Sequence, residues 1–227
     1  MNSMNNTSSL YNAKVQAVLK RAYQNASGER IRMGVLLVMD KLLKRSLSVK
    51  KYVQRTKNMY IPLSKERGTF AHLLARSIKA QRIVEFGTSF GVSTIYLAAA
   101  VKDNGGGVVI GSEMEKSKVA KARQNLKEAG LSDYVEIREG DAQRSLTDPG
   151  GIVDMLLVDG FKELYLPILT MLTPYLRKGS VILGDNVTTP ILKESLASYV
   201  AYMNDPNNGF CSMTMPFKDG LEYSVVM

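Results

Sequence analysis

Val84-Glu85-Phe86-Gly87-Thr88-Ser89-Phe90-Gly91-Val92-Ser93-Thr94 joins a short apolar run to a stretch that reads as helix. Gly87 lets the backbone turn sharply and approach a ligand, and Gly91 lets the helix start close to the strand. Turns of this kind serve nicotinamide, flavin, nucleotide and S-adenosylmethionine sites alike. The spacing here is G-x-x-x-G with an acid two residues before the first glycine. It lacks the G-x-G-x-x-G pattern that cradles a pyrophosphate, which disfavours a nicotinamide cofactor.

Outward from this turn, short apolar runs alternate with helical stretches, the pattern of βαβ units and a parallel sheet. Strands are expected at Ile83–Phe86, Val108–Ser112, Val135–Arg138, Met155–Asp159 and Val181–Asp185. Between them, Val119, Ala122, Leu126 and Ala129 share one helical face, and Ile168, Leu169, Leu172, Tyr175 and Leu176 share another. Thr189-Pro190 reads as an N-cap and first helical position. Cys211–Met215 and Glu222–Val226 alternate as two late strands joined through Asp219-Gly220, a hairpin turn signal. Before the turn, Val15, Val18, Leu19 and Ala22, and then Val35, Val38, Met39 and Leu42, repeat at helical spacing on either side of Gly28. Pro62 marks a loop leading into a helix over Phe70 to Ile78.

Two further stretches stand at strand ends. Glu113 follows Gly91 by 22 residues, where a carboxylate can accept hydrogen bonds from both hydroxyls of a ribose; S-adenosylmethionine and NAD fit equally. Glu139-Gly140-Asp141-Ala142-Gln143 follows the third strand and offers a carboxylate to an adenine amino group. In order and spacing, the glycine loop, the acid and the Gly-Asp-Ala stretch resemble the class I S-adenosylmethionine-dependent methyltransferases, from about Tyr60 to the C-terminus. The resemblance implies one Rossmann-like α/β domain, a seven-stranded, mostly parallel sheet with a reversed last strand and helices on both faces. Residues 1–60 would form an N-terminal helical extension of the domain spanning 61–227. The family's roles carry over residue by residue. Glu85 would orient the glycine loop and the amino group of the methionine moiety, with Gly87, Thr88, Ser89 and Gly91 around it. Ser93 would bind the carboxylate end, Glu113 the ribose, and Asp141 with Ala142 the adenine. The loop Ile61 to Leu63 would close over the cofactor.

Leu157-Val158-Asp159-Gly160-Phe161-Lys162 and Gly184-Asp185-Asn186-Val187 follow the fourth and fifth strands. Adjacent parallel strands bring such ends together, placing Asp159, Asp185 and Asn186 around one point beside the cofactor. Three hard oxygen ligands suit Mg²⁺ or Ca²⁺, or Mn²⁺, better than a soft metal. The combination resembles the metal-dependent O-methyltransferases of the catechol and caffeoyl-coenzyme A type. That resemblance gives Asp159, Asp185 and Asn186 the metal, Asp159 a place beside the cofactor as well, and Lys162 the general-base role. Two positions depart from the pattern: Phe161 stands where caffeoyl-type enzymes carry a second acid, and Met213 where the catechol enzyme carries a substrate-binding glutamate. Catechol specificity is therefore not assumed.

Composition narrows the setting. With 227 residues, 45% of them hydrophobic, the chain fits a single α/β domain with one core. Cys211 and His72 are the only residues of their kinds, so no intrachain disulfide and no Cys/His zinc site can form. A lone histidine is more often packed than functional, although the expected helix turns His72 toward the cofactor side; Met213 and Met215 are read as core or as an apolar acceptor pocket. No secretory pattern or membrane-length apolar run is present, and a cytoplasmic protein is expected. The net charge of +9 is uneven: Met1 to Arg82 carries 17 Lys/Arg against Glu29, Asp40 and Glu66, whereas the remainder carries 13 against 18 acids. The basic segment is either a solvated face or a surface that attracts an anionic acceptor. Three functions follow: an O-methyltransferase for a small aromatic hydroxyl, a methyltransferase for a hydroxylated tRNA base, and a binding module without chemistry. The basic stretch has no nucleic-acid motif, and family resemblance alone suggests a homodimer.

Overall fold

A computed structural model describes residues 8–43 and 48–227; Lys44 and Arg45 of the basic segment and the first seven residues of the extension lie outside the described residues. The expected strands form one sheet of β1 (Arg82–Phe86), β2 (Val108–Glu113), β3 (Val135–Glu139), β4 (Val153–Val158), β5 (Leu176–Asp185), β6 (Phe210–Met215) and β7 (Leu221–Val226). Their order is β3-β2-β1-β4-β5-β7-β6. β1 to β5 run parallel, and β7 runs antiparallel to both β5 and β6. The helices are α1 (Ala13–Asn25), α2 (Glu29–Leu42), α3 (Val49–Thr56), α4 (Lys65–Ser77), α5 (Val92–Asp103), α6 (Lys116–Ala129), α7 (Ala142–Ser145), α8 (Tyr165–Leu172) and α9 (Lys193–Asn204).

Both faces of the sheet are covered, so its central strands are apolar on both sides. Ile83, Val109, Met155, Leu157, Val181 and Leu183 point into a core shared with α1, α4, α5 and α6. Their neighbours Val84, Phe86, Ile110, Leu156, Val158 and Ile182 point into a second core with α7, α8 and α9. Each fully buried Ile or Leu contributes roughly 1.5–3 kcal/mol. α5 is buried from Val92 through Val101, as befits a helix apolar all round. It starts at Gly91, whose φ of +80° is a left-handed conformation that side chains rarely adopt.

Several expectations shift. The helix begins at Lys65 rather than Phe70, because Ser64 caps it by accepting the Arg67 N–H at 3.3 Å. Leu176 opens β5 rather than closing a helix. Thr189-Pro190 starts a single 3₁₀ turn, Pro190–Leu192, the Thr189 side chain makes no capping bond, and α9 begins only at Lys193. The stripe Val35, Val38, Met39 and Leu42 is exposed on α2, where Met33 is buried instead. α1 buries its expected stripe, Val15, Val18, Leu19 and Ala22, and Arg21 ties it to Asn125 and Glu128 of α6. His72 lies in the middle of α4 and turns away from the crevice: Nδ1 is 3.0 Å from the Tyr96 carbonyl and Nε2 3.1 Å from the Ser8 hydroxyl. Burial lowers its pKa. Met213 is exposed on β6, and Met215 packs against the first core.

Candidate active site

Strand order reverses at β1, between β2 and β4, so the loops after β1 and β4 diverge and leave a crevice at their carboxyl ends. A cavity of about 950 Å³ opens there and extends under α2 and α3. Gly87, Thr88, Ser89, Ser93, Glu113, Asp141, Ala142, Asp159, Lys162, Asp185 and Asn186 all line it. Glu85 and Gly91 lie just behind that lining. A Cβ on Gly87 would stand 2.5 Å from the Asp159 carbonyl oxygen, and its φ is +103°; only glycine lets the β1 loop pass the β4 loop this closely.

The first end of the cavity is polar and acidic. Glu85 is fully buried; its Oε2 accepts from the Thr88 hydroxyl at 2.9 Å and the Thr94 hydroxyl at 2.5 Å. Its Oε1 is buried with no hydrogen bond. Burial raises the Glu85 pKa against the lowering influence of Ser93, Thr94 and Thr88. A buried acceptor without a donor carries a desolvation cost of about 1–3 kcal/mol. Glu113 accepts the Ser89 N–H at 2.9 Å on Oε2 and the Glu115 N–H at 2.8 Å on Oε1. Each oxygen keeps a second lone pair for a ligand hydroxyl. Asp141 caps α7 by accepting the Gln143 N–H at 3.0 Å, which fixes its carboxylate at the rim. Tyr60 and Phe90 stack with ring centroids 3.7 Å apart and planes 4° from parallel. Lys118 lies over Phe90 at 5.4 Å, and burial lowers its pKa.

The second end holds the metal-type residues, with one neighbour that the sequence did not announce. Arg67, in the first turn of α4, forms a buried ion pair with Asp185 Oδ1 through Nη1. Lys162 Nζ lies 3.2 Å from Asp159 Oδ1 and also donates to the Tyr165 hydroxyl, which donates to the Asp185 carbonyl at 3.1 Å. Burial, and after it the Asp159 charge, push the Asp185 carboxyl up to about 7, against the pull of Lys162 and Arg67. Asn186 holds φ +66°, donating its N–H to the Gly220 carbonyl at 3.1 Å. Asp159, Asp185 and Asn186 thus supply hard oxygen donors, but a cationic side chain already meets each carboxylate. Among the described residues, no group of three His, Cys, Asp or Glu side chains could hold a metal ion. A dication ~4 Å from the Arg67 guanidinium would be repelled by roughly 8 kcal/mol at an effective dielectric of 20. Arg67 is 3% exposed, so a divalent cation at Asp185 would have to displace a buried guanidinium from its carboxylate.

α2 and α3 roof the second end with Met33, Leu37, Val49 and Val53, while Phe161, Ile191 and Leu192 form its floor. Tyr52 meets Phe161 edge to face with centroids 5.3 Å apart, and burial, then Asp159 and Glu163, raise its pKa to about 12. Arg55 Nη1 joins α3 to α2 through Asp40, at 2.7 Å and 2.8 Å from the two carboxylate oxygens. Neither roof helix nor Arg67 was recognised in the sequence as part of the site; Ser64, as the cap of α4, was the only signal near Arg67.

A mostly parallel seven-stranded sheet with this reversed strand and with acids at the ends of β1 and β2 is a Rossmann-like methyltransferase fold. Residues 84–187 match a family described as a methyltransferase domain. The catechol O-methyltransferase of Mycobacterium tuberculosis is 38% identical over 128 residues, covering 56% of this chain and 57% of the relative. Caffeoyl-CoA O-methyltransferase 1 of Eucalyptus globulus is 28% identical over 153 residues, covering 63% of this chain and 61% of the relative. The chain is similar to these O-methyltransferases over the matched stretches, and it spans less than two thirds of either relative's length. The crystal structure of the O-methyltransferase TomG of Streptomyces achromogenes, in complex with S-adenosylmethionine, superposes with a TM-score of 0.68 at 26% identity, over 86% of this chain and 96% of that one. No helix among the described residues is long and apolar enough to cross a membrane.

Proposed function

We propose that the chain is an S-adenosylmethionine-dependent O-methyltransferase for a hydroxyl on a small, neutral, predominantly apolar acceptor of aromatic type. The observation that carries this reading is one continuous cavity with two chemically distinct ends. At the polar end, Glu85 Oε1 would receive the methionine ammonium and Ser93 its carboxylate. Glu113 would take the ribose hydroxyls, and Asp141 beside Ala142 the adenine. Gly87, Thr88, Ser89 and Gly91 would form the loop around the methionine moiety, and Asp159 would border the sulfonium. At the other end, Met33, Leu37, Val53, Phe161 and Leu192 would enclose an apolar ring.

The charge of the lining favours a neutral acceptor. Arg67, Lys118, Lys162 and Lys218 face twice as many acids: Asp40, Glu113, Asp141, Asp159, Glu163, Asp185, Glu194 and Asp219. Such a wall attracts a cationic cofactor and opposes an anionic acceptor, and the basic excess of the N-terminal segment is not repeated inside the cavity.

In the transfer, the Lys162 ammonium first releases a proton to bulk water, the freed amine takes the proton of the acceptor hydroxyl, and an oxygen lone pair forms the new O–C bond. The C–S bond breaks with its electron pair moving to sulfur, so the sulfonium becomes a neutral thioether and Lys162 an ammonium. The cavity's contribution is alignment of oxygen, methyl carbon and sulfur in a water-poor space. The divalent cation implied by the catechol-type motif would have Asp159, Asp185 and Asn186 as ligands and would acidify the acceptor; the Arg67 pair speaks against it, and no step here passes through a metal. Incubating the protein with methyl-labelled S-adenosylmethionine and a panel of neutral phenols, carboxylated phenols and hydroxycinnamoyl thioesters tests the reading. Label entering neutral phenols as O-methyl product, and lost in Lys162→Ala, is the expected result. Label entering only the anionic acceptors, or none, overturns it.

A further inference from the structure

We infer that Arg67 is the resident cation of this active site, taking the place of a divalent metal and serving as a catalytic residue that stabilises the acceptor oxygen. The inference rests on the O-methyltransferase reading for what the cation does, but not for whether a metal can bind. Its basis is the buried pair between Arg67 Nη1 and Asp185 Oδ1 on the cavity wall, next to Asp159 and Asn186. Arg67 is held in place twice over: its backbone N–H is capped by Ser64, and the following Gly68 lies where a Cβ would be 2.6 Å from the Tyr96 ring. The α4 backbone is thus pressed against α5, and the guanidinium has a fixed origin from which to reach β5. A guanidinium stays protonated throughout the working pH range and carries five N–H donors in a planar fork. One of them holds Asp185. The remaining donors can stabilise an oxygen that becomes negative as its proton leaves, which is the service a metal would otherwise give. Lys162 makes the same kind of contact with Asp159, so both carboxylates of the metal-type motif are balanced within the chain. The motif is then retained for a different purpose: Asp185 orients Arg67, and Asp159 orients Lys162.

Mn²⁺ titration of the protein saturated with S-adenosylhomocysteine, followed by electron paramagnetic resonance, separates this from a metal centre. The expected result is no stoichiometric Mn²⁺ on the parent, one equivalent on Arg67→Gln, and none on Arg67→Lys, which keeps the charge. One equivalent on the parent, lost in Asp185→Asn, overturns the inference, as does Arg67→Gln that remains empty. Should Arg67→Gln fail to fold by circular dichroism, the parent titration decides by itself. With a neutral phenol identified as acceptor, turnover of the parent should be the same within about twofold in chelator and in Mg²⁺. Arg67→Gln should lose roughly 10²-fold in chelator, the scale of one oxyanion donor, and recover in part with Mg²⁺. Absence of turnover under every condition counts against the O-methyltransferase reading and leaves the Mn²⁺ result standing.

Discussion

Glu85→Gln removes one charge and no volume, and it separates cofactor binding from stability. Glu85 Oε2 is held by Thr88 and Thr94, whereas the buried Oε1 has no hydrogen bond. If Oε1 awaits the methionine ammonium, the variant loses a charge-assisted hydrogen bond worth about 1.5–3 kcal/mol. That corresponds to a roughly 10- to 100-fold weaker Kd for S-adenosylmethionine. Stability should move the other way. Burial raises the Glu85 pKa in the folded chain, so the folded state holds its proton more tightly than the unfolded state. The carboxyl therefore favours folding at pH below its unfolded value, and that contribution is lost as pH rises through the folded value. At pH above its folded value the parent carries the cost of a buried charge that glutamine lacks. Glu85→Gln should melt at or above the parent temperature at pH 7.5, and the difference should shrink toward pH 4. Calorimetric titration with S-adenosylhomocysteine and thermal denaturation at the two pH values provide the assay. Affinity within twofold of the parent in a folded variant would refute the role of Oε1, and a lower melting temperature at pH 7.5 would refute the electrostatic account.

Gly87→Ala brings a Cβ to 2.5 Å from the Asp159 carbonyl at a φ of +103°; strain of about 1–3 kcal/mol should displace the loop and weaken S-adenosylhomocysteine binding at least tenfold by calorimetry. Glu113→Ala removes the acceptor of the Ser89 and Glu115 amides, so ribose binding should fall by roughly 1.5–3 kcal/mol while S-adenosylmethionine analogues lacking the ribose hydroxyls should bind both forms equally. Burial lowers the His72 pKa between Ser8 and Tyr96; the unfolded chain then binds more protons below about 6.5, so stability should fall as pH drops through that value, and His72→Gln should flatten the dependence in denaturant titrations at pH 5 and 7.5. Arg55→Ala frees α3 from Asp40 of α2, and steady-state kinetics should show KM for the acceptor rising severalfold with little change in the Kd for S-adenosylmethionine.

The division between what was legible in the sequence and what was not follows the range of the interactions involved. A parallel sheet delivers the residues after each strand to one edge, so Gly87, Glu113, Asp141, Asp159 and Asp185 could be assigned to a common crevice from strand positions alone. Apolar periodicity located each strand, because the central strands are buried on both faces and admit little else, but it missed the exposed first half of β5, which begins at Leu176 rather than Val181. The same periodicity misled at α2: Val35, Val38, Met39 and Leu42 make a helical stripe, yet a stripe records only which residues share a face and not which way that face turns. Direction depends on the partner, and here the buried contact is made by Met33 over the cavity. His72 was assigned to the wrong side for the same reason, since its orientation is set by Tyr96 and Ser8 on distant segments. Arg67 is the most consequential case. Its partner Asp185 is 118 residues away, and nothing in Lys65-Glu66-Arg67-Gly68 indicates an inward guanidinium; in a basic segment with 17 Lys/Arg it reads as one more solvated charge. A motif read locally therefore gives Asp159, Asp185 and Asn186 a metal, whereas the fold supplies a cation from another helix. The chemistry available to a set of carboxylates is decided by the charges opposite them, and those charges come from tertiary structure.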